Sequence, residues 1–338
     1  MLMRHGRIVG VLALVAACLG CAAKERLVRA ADAPRVELIR SLKDFELDAG
    51  FEETDNFSQL SSRAYIDYRC YFTGKLKLPS DYYKLKLRHG TPTGCPIDEA
   101  KYDVFFYRVE AAASGHTPIT PSLEKASVER TLVVVPHEDF HNDSRMEGWP
   151  TAIREAASTL VGFLAAAAFA KKEFGESSPE YLRLSREPEI FLRKAEIVNR
   201  HAAGLAELYR KSRDGQIART RVLELKRALF GLLRGECAAL PDAWSFNKHL
   251  SALNNAGLAF DLTYTRHYPL LYRVSRAAGG FFPSQLDQTI AALRPPSGRK
   301  SFSEEEAVAY FRRRLKDRQA SGRDRAAYSR SDLQLADR

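Results

Sequence analysis

The sequence predicts an α+β fold, mainly α, with a small N-terminal mixed sheet region. Two observations predict it. Up to about residue 135, short runs of β-favouring residues alternate with turn signals; from Pro136 onward the apolar spacing turns helical over long stretches. A third observation bounds the answer: 338 residues at 45% apolar and 28% charged suit an ordinary globular core of one large domain or two tightly packed ones.

Taken in order, residues 1–21 read as a lipoprotein signal peptide. Arg4 and Arg7 form a positive n-region, and Ile8 to Ala17 is apolar but too short to span a bilayer comfortably. The run ends in Val15-Ala16-Ala17-Cys18, followed by Leu19-Gly20-Cys21. A small residue directly before a cysteine at this place is the pattern of a bacterial lipobox, with Cys18 the better fit and Cys21 the alternative. Acyl chains on that cysteine would anchor the chain to a membrane. This pattern points to the bacterial cell envelope, on its periplasmic or extracellular face. Residues 22–34 read as a tether.

Residues 35–135 read as an N-terminal α/β region. A helix is expected over Arg35–Phe45. Strands are expected over Ala64–Thr73, Lys75–Leu78, Val104–Ala111 and Thr131–Val135, separated by Pro79-Ser80-Asp81, by residues 90–94 and by Ser114-Gly115. Residues 136–318 read as the helical region. Helices are expected over Pro150–Phe174, Pro188–Arg210, Ala218–Leu233 and Pro283–Ala292, with one or two within Trp244–Arg276. Ser303 should open a last helix, because Glu304, Glu305 and Glu306 complement the helix dipole. The apolar helix 150–174 carries charges at both ends and reads as a core helix. The polar stretch 319–338 reads as a disordered tail.

The net charge of +10 suits an anionic surface or acidic partner. Arginine is spread along the helices and no nucleic-acid-binding motif occurs, so no nucleic-acid partner is expected. Beyond the N-terminal pair the cysteines are Cys70, Cys95 and Cys237. An exported chain meets an oxidising compartment, where Cys70 and Cys95 can close a short loop; the sequence leaves that pairing open. Cys237 reads as a buried single thiol.

His137-Glu138-Asp139-Phe140-His141 is an H-E-x-x-H motif. A chance match in a chain of this length and composition has odds on the order of one in a hundred. Side chains four apart share a helix face, so both imidazoles can reach one ion, while Glu138 is set to act on a metal-activated water as general base. Pro136 is tolerated in a first helical turn. Glu155, on the next helix with thirteen residues lying between it and His141, is the best third ligand. Two histidines, a carboxylate and an open position describe a catalytic Zn2+ site. A donor for the developing oxyanion is still needed. Tyr264 and His267 both have that chemistry, against the plainer reading of a core tyrosine and a surface histidine. Thr159 and Asn255 are candidates for orienting the ligands. Asn254 and Asn255 have low helix propensity, so their amides are expected either to satisfy buried backbone groups or to orient a ligand.

These blocks resemble a family of bacterial zinc aminopeptidases of the gluzincin type, many of them lipoproteins. The resemblance rests on the apolar run into His137-Glu138-x-x-His141, the helix bearing Glu155, Asn254-Asn255-Ala256, Thr263-Tyr264 and Pro269, and covers roughly residues 130–293. It implies a zincin-like helical metallopeptidase core, zinc held by His137, His141 and Glu155, Glu138 as catalytic base, Tyr264 as a substrate or transition-state contact, and a peptide substrate. The sequence departs from the family in having Arg154 where asparagine usually precedes the third ligand, and an acidic Asp139 between the motif histidines. The competing reading is a non-catalytic envelope lipoprotein with a structural or vestigial zinc site, which has no need of Glu138. A membrane-surface binder driven by positive charge is a third.

Overall fold

The structure, a computed structural model, describes residues 33–241, 250–278, 286–296 and 301–323. The expected signal peptide, both candidate lipidation sites Cys18 and Cys21, and nearly all of the tether lie outside them. The chain runs α1 (Ala33–Asp48), β1 (Asp67–Gly74), β2 (Lys86–His89), β3 (Tyr102–Val109), α2 (Pro121–Glu124), α3 (Val128–His141), α4 (Thr151–Phe174), α5 (Pro179–Leu184), α6 (Glu187–Arg213), α7 (Arg219–Ala238), α8 (Asn255–Thr265), α9 (Tyr268–Ala277), α10 (Leu286–Leu293) and α11 (Glu304–Arg323). Single 3-10 turns stand at Tyr82–Lys84 and Ser144–Met146. The fold is mostly helical with one small sheet, as the periodicity implied.

The sheet has the order β2-β1-β3 and both pairings are antiparallel, so it is not mixed. Residues 75–78 form no strand: Gly74 ends β1, and the Lys77 amide turns back onto its carbonyl. The paired third strand is instead Lys86–His89, whose basic Lys86, Arg88 and His89 hid a wholly exposed edge. The disulfide Cys70–Cys95, with Cα atoms 5.6 Å apart, staples β1 to the loop before β3. On the inner face Tyr71, Phe105 and Tyr107 surround Phe260 of α8 with ring centroids 4.7–5.8 Å apart, which fixes the sheet over the helical layer.

Thr131–Val135 is not a strand but the middle of α3, and helix therefore begins at Val128, before Pro136. Ser127 caps the helix by accepting the Arg130 amide, and Glu129 lies in its first turn. The β-branched run is buried on all sides, with Leu132, Val133 and Val135 fully inaccessible, and this packing overrides local propensity. Pro136 consequently stands inside the helix rather than in its first turn. α4 is long and apolar enough to cross a membrane, yet most of it is buried within the protein, where it packs against α3. A second cluster joins α6, α7 and α8 around Leu205, Tyr209 and Phe230. Trp149 ties the C-terminal helices to the start of α4: its Nε1 donates to the Leu293 carbonyl at 2.8 Å, and its ring meets Phe302 and Phe311.

Asn254 is not inside a helix. It caps α8, its Oδ1 accepting the Ala256 and Gly257 amides. Ser303 and Glu306 form a reciprocal capping box at α11. That helix continues to Arg323, past the expected start of the tail; residues 324–338 lie outside those described.

Candidate metal centre

Three side chains converge between α3 and α4. His141 Nε2 lies 3.2 Å from His137 Nε2 and 3.1 Å from Glu155 Oε2, and His137 Nε2 lies 3.6 Å from the same oxygen. All three residues are buried, and no other group of this kind occurs among the described residues. Hydrogen bonding alone satisfies this cluster poorly, because each ring nitrogen carries at most one proton and three lone-pair atoms face a common point. A metal ion would satisfy all three together.

The helices explain the convergence. His137 and His141 are one turn apart on α3. Glu155 stands one turn into α4, just after the Trp149-Pro150 entry. Burial alone would raise the Glu155 carboxyl, but the charges and hydrogen bonds of His141 and His137 outweigh it and hold the group well below the usual range. The outer oxygen of Glu155 is oriented by Tyr82, whose hydroxyl donates to Oε1 at 3.1 Å. Tyr82 was not picked out from the sequence. The signal was the Pro79-Ser80-Asp81 turn, in which Asp81 caps the 3-10 turn carrying Tyr82 and presents it to the site.

A cavity of about 330 Å³ opens over the triad, lined by Glu138, Tyr82, Tyr107 and Tyr264 among others. Glu138 is half-buried, and desolvation within the cavity, partly opposed by His137, raises its carboxyl to about 7. Tyr264 comes from α8, its ring centroid 6.2 Å from that of His137. Burial, reinforced by the charge of Glu155, raises its hydroxyl above the usual tyrosine value, so it stays a proton-bearing donor.

Other expected residues lie elsewhere. His267 is not a surface residue: it is buried and its Nε2 lies 2.9 Å from Glu304. Thr159 donates to the backbone carbonyl of Glu155 at 2.8 Å, not to its carboxylate. Asn255 donates to the Lys75 carbonyl and accepts from the Tyr209 hydroxyl, so its amide satisfies buried groups and holds α8 to the sheet side. Asp139 points away from the triad and accepts from Lys43 Nζ at 2.8 Å, Thr54 Oγ1 at 2.6 Å and Asn56 Nδ2 at 2.9 Å. The acidic residue between the motif histidines thus anchors α1 and the loop after it to α3. Arg154 turns back to donate to the carbonyl of His141. Cys237 is only partly buried; desolvation pushes its thiol up to about 11, which keeps it unreactive at neutral pH.

No family model, curated protein or solved structure matches this chain.

Proposed function

We propose that this chain is a zinc-dependent hydrolase of peptide bonds with a zincin-like core, exported and lipid-anchored at a bacterial envelope. The observation that carries the reading is the donor triangle of 3.1, 3.2 and 3.6 Å formed by His141, Glu155 and His137. Ligands about 2.0–2.1 Å from a tetrahedral zinc stand about 3.3–3.4 Å apart, so the three side chains would fit three corners of such a site beside the cavity. Zinc, when bound, supplies Lewis acidity toward a carbonyl oxygen and toward water. Glu138 does not ligate; its carboxylate takes the proton of the attacking water and returns it to the leaving nitrogen. Desolvation of Glu138 raises its carboxyl, the direction that suits a group which must take up and hold a proton between the two transfers. Tyr264, held protonated, donates to the oxygen on which charge develops. The disulfide supports an oxidising compartment, in keeping with the lipobox pattern.

The test compares zinc content and peptide hydrolysis in wild type and Glu138→Gln. Both should carry about one zinc per chain, and only the variant should lose activity, by roughly 10²–10⁴-fold. Equal hydrolysis by the two proteins, or absence of bound zinc from both, would defeat the assignment.

A further inference from the structure

An exopeptidase that reads a substrate's N-terminal amine needs a carboxylate besides those of the metal site. Among the described residues this cavity has none. Among its lining residues the carboxylates are Glu138 and Glu155, both assigned to the metal chemistry. Acidic residues close to the lining in sequence are engaged or turned outward: Asp67 pairs with Arg69 itself and Asp81 with Lys84. Asp143 is buried against Arg145, Glu110 is held by Arg130, and Glu147 is exposed away from the lining. Asp261 is buried in an ion pair with Lys194 and accepts from Ser251. The charged groups that remain in the lining are cationic: Arg69 from β1 and Arg154 from α4.

Both guanidiniums have donors to spare. Arg69 gives Nε to Asp67 Oδ2 at 3.1 Å and makes a long 3.5 Å contact from Nη1 to the Tyr71 hydroxyl; its Nη2 has no partner among the described residues. Arg154 gives Nη2 to the His141 carbonyl, while its buried Nε has no acceptor. A planar guanidinium with open N–H groups in a partly enclosed cavity matches a carboxylate in geometry and charge. The lining's own charges, Arg69 and Arg154 against Glu138 and Glu155, balance, so a dication held by the triad would make the cavity net positive, opposing an ammonium and favouring an anion.

We infer that the site selects substrates carrying a carboxylate close to the scissile bond, bound by Arg69 with Arg154 supporting the same charge. This inference rests on the hydrolase reading for its meaning, but its chemistry is binding and can be measured apart from turnover. Arg69 is the specificity-determining residue. Arg154 also positions His141 and is therefore a poor variant for this purpose.

The probe is one labelled alanine-rich pentapeptide with a central glutamine, made with a free or amidated C-terminus and with a free or acetylated N-terminus. A further amidated form has central glutamate. Binding is measured by fluorescence polarisation to the zinc-loaded Glu138→Gln protein, alone and combined with Arg69→Gln or Arg69→Lys. A carboxylate-bearing peptide should bind about ten- to hundredfold more tightly than the neutral amide, the range of a charge-assisted hydrogen bond. Preference for the free C-terminus identifies a terminal carboxylate as the ligand; preference for the glutamate peptide identifies an acidic side chain. Arg69→Gln should erase the preference with zinc content unchanged, and Arg69→Lys should retain part of it. Equal binding of carboxylate and amide forms, a preference for the free amine, or a preference untouched by Arg69→Gln would overturn the inference. A carboxylate preference in a protein whose wild type hydrolyses no peptide would leave the inference standing and remove the peptidase reading instead.

Discussion

Gly162 of α4 lies directly against the backbone that carries His137: a Cβ placed on it would stand 2.9 Å from the carbonyl oxygen of Val133 and 3.3 Å from the Cβ of His137. The spacing of α3 and α4, and with it the separation of His137 from Glu155, therefore depends on the absence of a single methyl group. One of the obstructing atoms is backbone, so no side-chain rotation relieves the overlap. Gly162→Ala is expected to push the helices apart and to lower stability by about 1–3 kcal/mol, the usual cost of overpacking a filled core. Zinc affinity should fall with it. Urea unfolding and competition with a chelator measure the two effects, and wild-type values in both would show that the helices are not held at this point.

Tyr82 supports Glu155, the proposed third ligand, from the side away from the imidazoles. Its hydroxyl donates to Glu155 Oε1 at 3.1 Å, while its ring stacks on Tyr83 and Phe260 with centroids 4.1 and 5.4 Å away. Tyr82→Phe keeps the ring and removes the hydroxyl, which donates to Glu155 and lies within hydrogen-bond distance of the Tyr83 hydroxyl, 2.6 Å away. Zinc affinity should drop roughly 10–100-fold, the scale on which hydrogen-bond partners of metal ligands act, with the unfolding midpoint of the metal-free protein little changed. An unaltered zinc dissociation constant would mean that the hydroxyl is not orienting the carboxylate.

The motif made the triad legible because spacing of four on a helix and one downstream carboxylate are local facts. Tyr82 and Arg69 were not legible. Each reaches the cavity from the sheet side, across a distance in sequence that only tertiary packing closes. The run Thr131–Val135 misled for a related reason: valine favours strands at half-buried positions, but here the whole run is enclosed and packing against α4 decides. Gly162 is invisible in the same way, since a glycine in an alanine-rich helix looks like composition until its neighbour across the interface is known.

The Cys70–Cys95 disulfide joins positions 25 residues apart in sequence, on β1 and on the loop leading to β3. Closing that loop restricts the unfolded chain, so replacing both cysteines by serine should lower stability by about 2–4 kcal/mol. The same loss should appear when wild type is unfolded in the presence of a reductant. The sheet supplies Arg69, Tyr71 and Tyr107 to the cavity wall, so substrate binding should weaken before zinc is lost. Unfolding curves of the double variant that overlay those of oxidised wild type would show that the bridge adds nothing to stability.

Glu46 gives the protein a pH dependence of its own. The residue is 3% exposed. Burial, then the neighbouring charge of Asp139 and the hydrogen bond made to it, raise the Glu46 carboxyl well above the usual range, with Lys43 opposing. In the unfolded chain this group titrates at roughly 4.3. Between that value and the folded one the native state holds a proton the unfolded state has lost, so stability falls as pH rises through this window and levels off above the folded pKa. Glu46→Gln keeps a donor toward Asp139 and removes the titration. The variant should match wild type near the unfolded pKa and become progressively more stable than wild type as the pH is raised toward 8. Urea unfolding of both proteins at pH 5, 6, 7 and 8 reads this difference directly. A gap that stays constant across the series would show that Glu46 does not carry the proton.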